Sequence, residues 1–240
     1  MHAHAEACAV PAGGSSTLGA IDARERIDFL RRNADDQARY VHDWKWAWVG
    51  IGTATFTGSA AITLGWALGN DPVVRSANIV DNTVVTSFAI LTPTVALLAA
   101  PRIRAPAIDE LLRQTGDGAA GSCLVLARME ELFTRDAADE ALNTSWVSHV
   151  AGLLVLGALF GILATEAATA SNPQVRDAHW RNAIVNTSAG LVLTEIQILT
   201  QPSGSVHAYK RYLKGDLPQK ASARLSIMPT LGGLAVRMSF

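Results

Sequence analysis

Glu195 is the residue whose setting most invites a chemical role, because it is a carboxylate inside the apolar stretch Ala183–Thr200. An ionised carboxylate is costly in hydrocarbon unless it is paired or hydrated. Its presence there marks either a proton or ion path or a hydrogen bond that ties helices together. On a helical wheel, Ser188 with Glu195, Thr187 with Thr194, and Asn186 with Gln197 form three adjacent polar rows. Ala189, Val192, Leu193 and Ile196 make the opposite, apolar face. Asp81, Asn82 and Thr86, at the head of another apolar stretch, are expected to face Glu195 across a bundle, with Arg75 or Arg181 as ionic partners. Hydrogen-bonded glue is the commoner use of such groups, and a polar intramembrane path is the alternative.

Other chemistry is less well founded. His149 could ligate a haem or a chlorophyll, but His42 and His179 do not lie at a matching depth, so an interfacial histidine is the expectation. The two cysteines, Cys8 and Cys123, form no CxxC or Cys/His cluster, so neither a metal site nor any other cofactor is expected. A bond between them is allowed by the sequence, and nothing in it argues for one. No GxSxG, P-loop or HExxH pattern is present. Twenty basic and 21 acidic residues nearly cancel, and no basic aromatic patch suggests nucleic acid.

These residues must be positioned by apolar helices. The chain has 240 residues, 49% hydrophobic and only 17% charged against about 25% in an average soluble protein. Val147–Thr165 carries no charge and is long enough as a helix to cross about 30 Å of hydrocarbon. Four spans are expected, at about 46–68, 79–100, 147–170 and 183–200. Trp44, Trp46 and Trp48 read as a headgroup-level cluster at the entry of the first span, which is rich in glycine and threonine. Pro93 should kink the second span, and Gly157 and Gly161 form a GxxxG close-packing pair in the third.

A repeat underlies this arrangement. Asp71-Pro72 matches Asn172-Pro173, Thr86-Ser87 matches Thr187-Ser188, and Pro101 matches Pro202, all at an offset of 101. Residues 21–101 and 102–202 then form two tandem units, each an amphipathic helix followed by a two-span hairpin. Ile27, Leu30, Ala34, Ala38 and Val41 give the first amphipathic face, with Thr17 or Asp22 as cap. Leu126, Met129, Leu132 and Phe133 give the second, between a break at Gly116, Gly118 and Gly121 and the third span; Pro106 suits a helix start.

The ends are distinct. Residues 1–20 read as a disordered tail in which Ala3-His4-Ala5 resembles the end of a cleaved leader. A short helix follows Pro202, with Tyr209 and Tyr212 near the interface and Gly215 as its stop. The alternation in 224–240 reads as a small β-hairpin, and two strands cannot close a barrel.

The expectation is therefore an all-α, four-span protein of two tandem hairpin repeats with a small C-terminal β-hairpin. Seventeen of the twenty basic residues lie outside the two short turns, which hold Arg75, Arg176 and Arg181. The positive-inside rule then places both termini in the cytoplasm of a bacterial-type inner membrane. The expected function is that of a non-enzymatic structural or assembly subunit, meeting lipid and either other subunits or a second copy through the hairpin edge. The alternative is a small transporter or channel with a path that includes Glu195.

Overall fold

The computed structural model describes residues 8–69, 71–98, 100–104, 107–108, 110–111, 119–217, 224–230 and 233–239. Ser15 caps a short helix α1 (Ser16–Gly19), and Asp22 caps α2 (Ala23–Leu68) by accepting from the Arg24 N–H at 2.8 Å. α2 is one helix of 46 residues, about 70 Å long. The amphipathic helix and the first span expected as separate elements are thus continuous. The tryptophan cluster divides by face: Trp46 is 52% exposed, whereas Trp44 and Trp48, one turn apart, are buried. Their indole N–H groups both donate to the Thr200 hydroxyl at 3.3 Å.

Asp71 caps α3 (Pro72–Ala89), and Asn172 caps α7 (Pro173–Leu199). In each case proline sits at the first helical position, where its missing N–H costs nothing. A break at Ile90 separates α3 from α4 (Leu91–Leu98), because Pro93 cannot donate to the carbonyl one turn back. α5 (Ala119–Asn143) is followed by α6 (Trp146–Thr169), then α7 and α8 (Gly204–Lys214). Gly121 lies inside α5, while Pro106, Gly116 and Gly118 lie outside the described residues, as does Ala3-His4-Ala5.

Two layers result. A cap joins the N-terminal arm, α1, the first half of α2, α5 and α8 around Leu18, Phe29, Leu30, Met129, Phe133 and Tyr212. The arm expected to be disordered through residue 20 is ordered from Cys8, because Leu18 is in this core and Cys8 is bonded to Cys123. Tyr212, expected near an interface, is instead buried in the cap core and stacks on Phe29, and Tyr209 packs edge-on against Phe133. Gly215 stops α8 at φ +74°, a left-handed backbone that glycine adopts without strain.

The second layer is a bundle of the distal half of α2 with α3–α4, α6 and α7. Its two hairpins make matching close approaches. A Cβ on Gly52 would lie 2.4 Å from Pro93 Cδ, and one on Gly152 would lie 2.6 Å from Thr194 Cγ2. The glycines are 100 positions apart and their partners 101, so the helix packing is suggestive of a repeat.

The protein is a multi-span α-helical membrane protein, but the span count differs from expectation. Among the described residues, three helical stretches are long and apolar enough to cross a membrane: Pro72–Leu98, Trp146–Thr169 and Pro173–Lys214, the last of which runs on past α7 into α8 of the cap. The distal half of α2 does not qualify, since Thr53, Thr55, Thr57 and Thr63 and four glycines dilute its apolar character. Those hydroxyls donate to the carbonyl four residues back. The four-span architecture closed by a hairpin is corrected accordingly: the folded domain is all-α. Arg224–Thr230 and Gly233–Ser239 pair with each other antiparallel as β1 and β2, with β1 lying against α2, and among the described residues they join no larger sheet.

Candidate functional site

The polar residues of the bundle gather at its two ends. At the end nearer the cap, His149 sits in the first turn of α6 and Glu195 in the last turns of α7. Because α6 and α7 are antiparallel, the two meet: His149 Nδ1 lies 2.9 Å from Glu195 Oε2 and 3.2 Å from Oε1. Each side chain is 35% exposed. With its proton on Nδ1 the imidazole donates to the carboxylate, which ties the start of α6 to the end of α7.

At the other end, α3 and α7 bring four side chains together. His179 Nδ1 lies 2.8 Å from Asp81 Oδ1. The Asn182 amide donates to Asp81 Oδ2 at 2.8 Å and to Asn78 Oδ1 at 2.9 Å. Asp81, Asn78 and His179 are buried. Both Asp81 oxygens have partners, which offsets the cost of burying the acid. The cluster has internal symmetry. The offset of 101 superimposes Asn78 on His179 and Asp81 on Asn182, so each helix contributes one i, i+3 pair. The Asn78–Asn182 contact is then the counterpart of the Asp81–His179 contact.

The predicted site residues separate on this frame. Asp81 does not face Glu195. Its partner Asn182 is thirteen residues before Glu195 on α7, about 20 Å along the axis. Asn82 donates to the carbonyl of Asn78 and Thr86 to that of Asn82, so both bond within their own helix. Neither expected arginine reaches Asp81: Arg75 turns back to the carbonyl of Gly69, and His179 takes the place at the acid. Ser188 is exposed on the outside of the bundle rather than within it, and Asn186 is half-buried. Thr194 packs on Gly152. Thr187 Oγ1 and the Nε2 of buried Gln197 have no hydrogen-bond partner among the described residues.

His179, Asn182 and Asn78 were not anticipated, although the repeat offset could have found them. The partnership of His149 with Glu195 was equally hidden. Its signal is the hairpin register, since His149 lies 22 residues before Ser171 and Glu195 lies 23 residues after Asn172, which puts the two at the same level. Among the described residues no three His, Cys, Asp or Glu side chains converge as a metal ion would require.

The cap carries its own buried charges. Arg26 donates from Nε to the Tyr212 hydroxyl at 2.9 Å, from Nη2 to the Ala9 carbonyl at 3.2 Å, and from Nη2 to Glu130. Tyr212 also donates to Glu130. Burial pulls the Arg26 guanidinium down, but the bonds to Tyr212 and Glu130 outweigh it and leave the group raised. Burial and the acceptor Glu130 push the Tyr212 hydroxyl up. Glu140 accepts from the Ser205 N–H at 2.7 Å, the Ser205 hydroxyl at 2.8 Å and the Val206 N–H at 3.2 Å, which caps α8. Its burial raises its carboxyl above the usual range despite these donors. All these charged groups find partners inside the chain.

No family model, curated protein or solved structure matches the chain.

Proposed function

We propose that this protein is a non-enzymatic structural or assembly subunit of a membrane protein complex. One observation carries the reading. The GxxxG pair Gly157–Gly161 lies on an outward face of α6 beside Val150 and Leu154, which is 70% exposed. A Cβ added at either glycine meets nothing within 4 Å. The close-packing motif is therefore unused by the chain's own helices, and it suits a helix of another subunit or a second copy. The interior also fits glue, since His149 pairs with Glu195, and Asp81 pairs with both His179 and Asn182.

Gly157→Leu with Gly161→Leu tests this directly, because the space beside both positions lets the chain's own fold accept the change. The wild-type chain should purify in mild detergent as an assembly larger than a monomer. The double variant should fall to monomer mass with unchanged helix content by circular dichroism. A monomeric wild type, or a variant that keeps its assembly, would overturn the reading.

A second reading, a small transporter or channel, is favoured by the placement of Thr187. Its unpartnered hydroxyl lies eight residues from both His179 and Glu195, about 12 Å along the axis from each. Glu195→Gln separates the two readings. The amide still offers His149 an acceptor, so a subunit should keep its fold and assembly. A conduit should instead lose proton or cation flux in proteoliposomes.

A further inference from the structure

We infer that the cap faces an oxidising compartment and that the opposite end of the bundle, where α2 meets α3 and α6 meets α7, faces the reducing side of the membrane. The inference stands apart from the proposed function. It rests on the bond between Cys8 and Cys123, the chain's two cysteines, which joins the N-terminal arm to α5 with their Cα atoms 5.3 Å apart. The pairing is set by the fold around it. Ala9, next to Cys8, gives its carbonyl to Arg26, the Ser15 N–H bonds to the Leu213 carbonyl at 2.8 Å, and Cys8 is part of the cap core. Three separate contacts thus deliver the arm to the same place.

Forming the bond removes two protons and two electrons from the thiols. These pass by thiol–disulfide exchange to an oxidised disulfide carrier of the compartment. Such bonds persist in secreted, periplasmic and lumenal settings, whereas the thiol pools of the cytosol keep cysteines reduced.

This reverses the orientation drawn from the basic residues, and the physical weights favour the bond. A bias of lysine and arginine acts through short loops, while whole domains translocate largely regardless of charge. Here the N-terminal arm and residues 119–143 belong to one folded cap. With the cap outside, the short turns carrying Arg75, Arg176 and Arg181 lie in the cytoplasm. The surface of the cap, with exposed Leu124 and Leu142 on α5, is then offered to partners of the oxidising compartment and withheld from cytosolic ones.

The test uses the full chain in bacterial spheroplasts and a membrane-impermeant maleimide. Ala138→Cys places a third thiol on the exposed face of α5, and Ser171→Cys places one at a hairpin turn. The Ala138 variant should label in intact spheroplasts and the Ser171 variant only after lysis. In the unsubstituted chain, alkylation in acid-quenched membranes should find no free thiol before reduction and two after it. Opposite labelling of the two positions overturns the inference. So does a native pair that is freely alkylated without reduction, whatever the labelling shows.

Discussion

The cap and the bundle each bury an acid beside a base, and they surround it differently. In the cap, Arg26, Glu130 and Tyr212 sit among Phe29, Leu30 and Met129, and the unfolded alternative for each charge is water. In the bundle, Asp81, His179, Asn182 and Asn78 sit between α3 and α7, and the alternative is a helix still inserted in lipid that can find other partners. The same kind of contact should therefore be worth more in the cap than in the membrane.

Paired substitutions measure that difference. Arg26→Ala leaves Glu130 buried without its cation and removes the donor to Tyr212 and Ala9. Breaking a buried ion pair in this way costs about 3–5 kcal/mol, so cap unfolding in detergent should shift strongly to lower temperature. Asp81→Leu removes the acceptor of both His179 and Asn182. Interhelical polar contacts in membranes average about 0.6 kcal/mol and reach about 1.7, so this variant should lose only about 1–2 kcal/mol in the same scan. Equal losses in the two variants would abolish the distinction between the layers.

The sequence disclosed what was periodic or local. Leu126, Met129, Leu132 and Phe133 recur at helical spacing and are the buried face of α5, and Asp71-Pro72 and Asn172-Pro173 announce the helix starts they cap. What depends on distant residues was not legible. Trp44 and Trp48 look like headgroup residues until Thr200, more than 150 positions away, is brought beside them. Nothing near Cys8 points to Cys123, because the bond closes a separation of 115 residues. Glu195 stood out because a carboxylate is conspicuous in an apolar stretch. Its partner did not, because His149 near a helix start also suits an interface. The threonine-rich half of α2 carries hydroxyls that its own backbone satisfies, so composition and packing point to different roles for it.

The smallest effect expected is one of pH, and it belongs to the cap. Glu140 is held by three donors at the start of α8, yet burial raises its folded pKa above the ordinary 4.5. Asp136, buried beside Arg104, is raised from 3.8 for the same first cause, with the arginine bonds only partly opposing it. A carboxyl raised in the folded state binds its proton more tightly there than in the unfolded chain. Between the unfolded and folded pKa values the native cap therefore holds more protons, and its stability falls as pH rises through that window. Above the folded values the contribution is flat. The usual acid loss from paired surface carboxylates runs the other way, so the measurement must isolate these two groups. Glu140→Gln does so for one of them: it keeps an acceptor for Ser205 and Val206 but cannot titrate. Chemical denaturation across pH 4–8 should show a smaller decline in the variant than in the wild type, with the two curves converging toward the acid end. Parallel curves would mean that Glu140 ionises as readily in the cap as in the unfolded chain, and that its donors fully offset its burial.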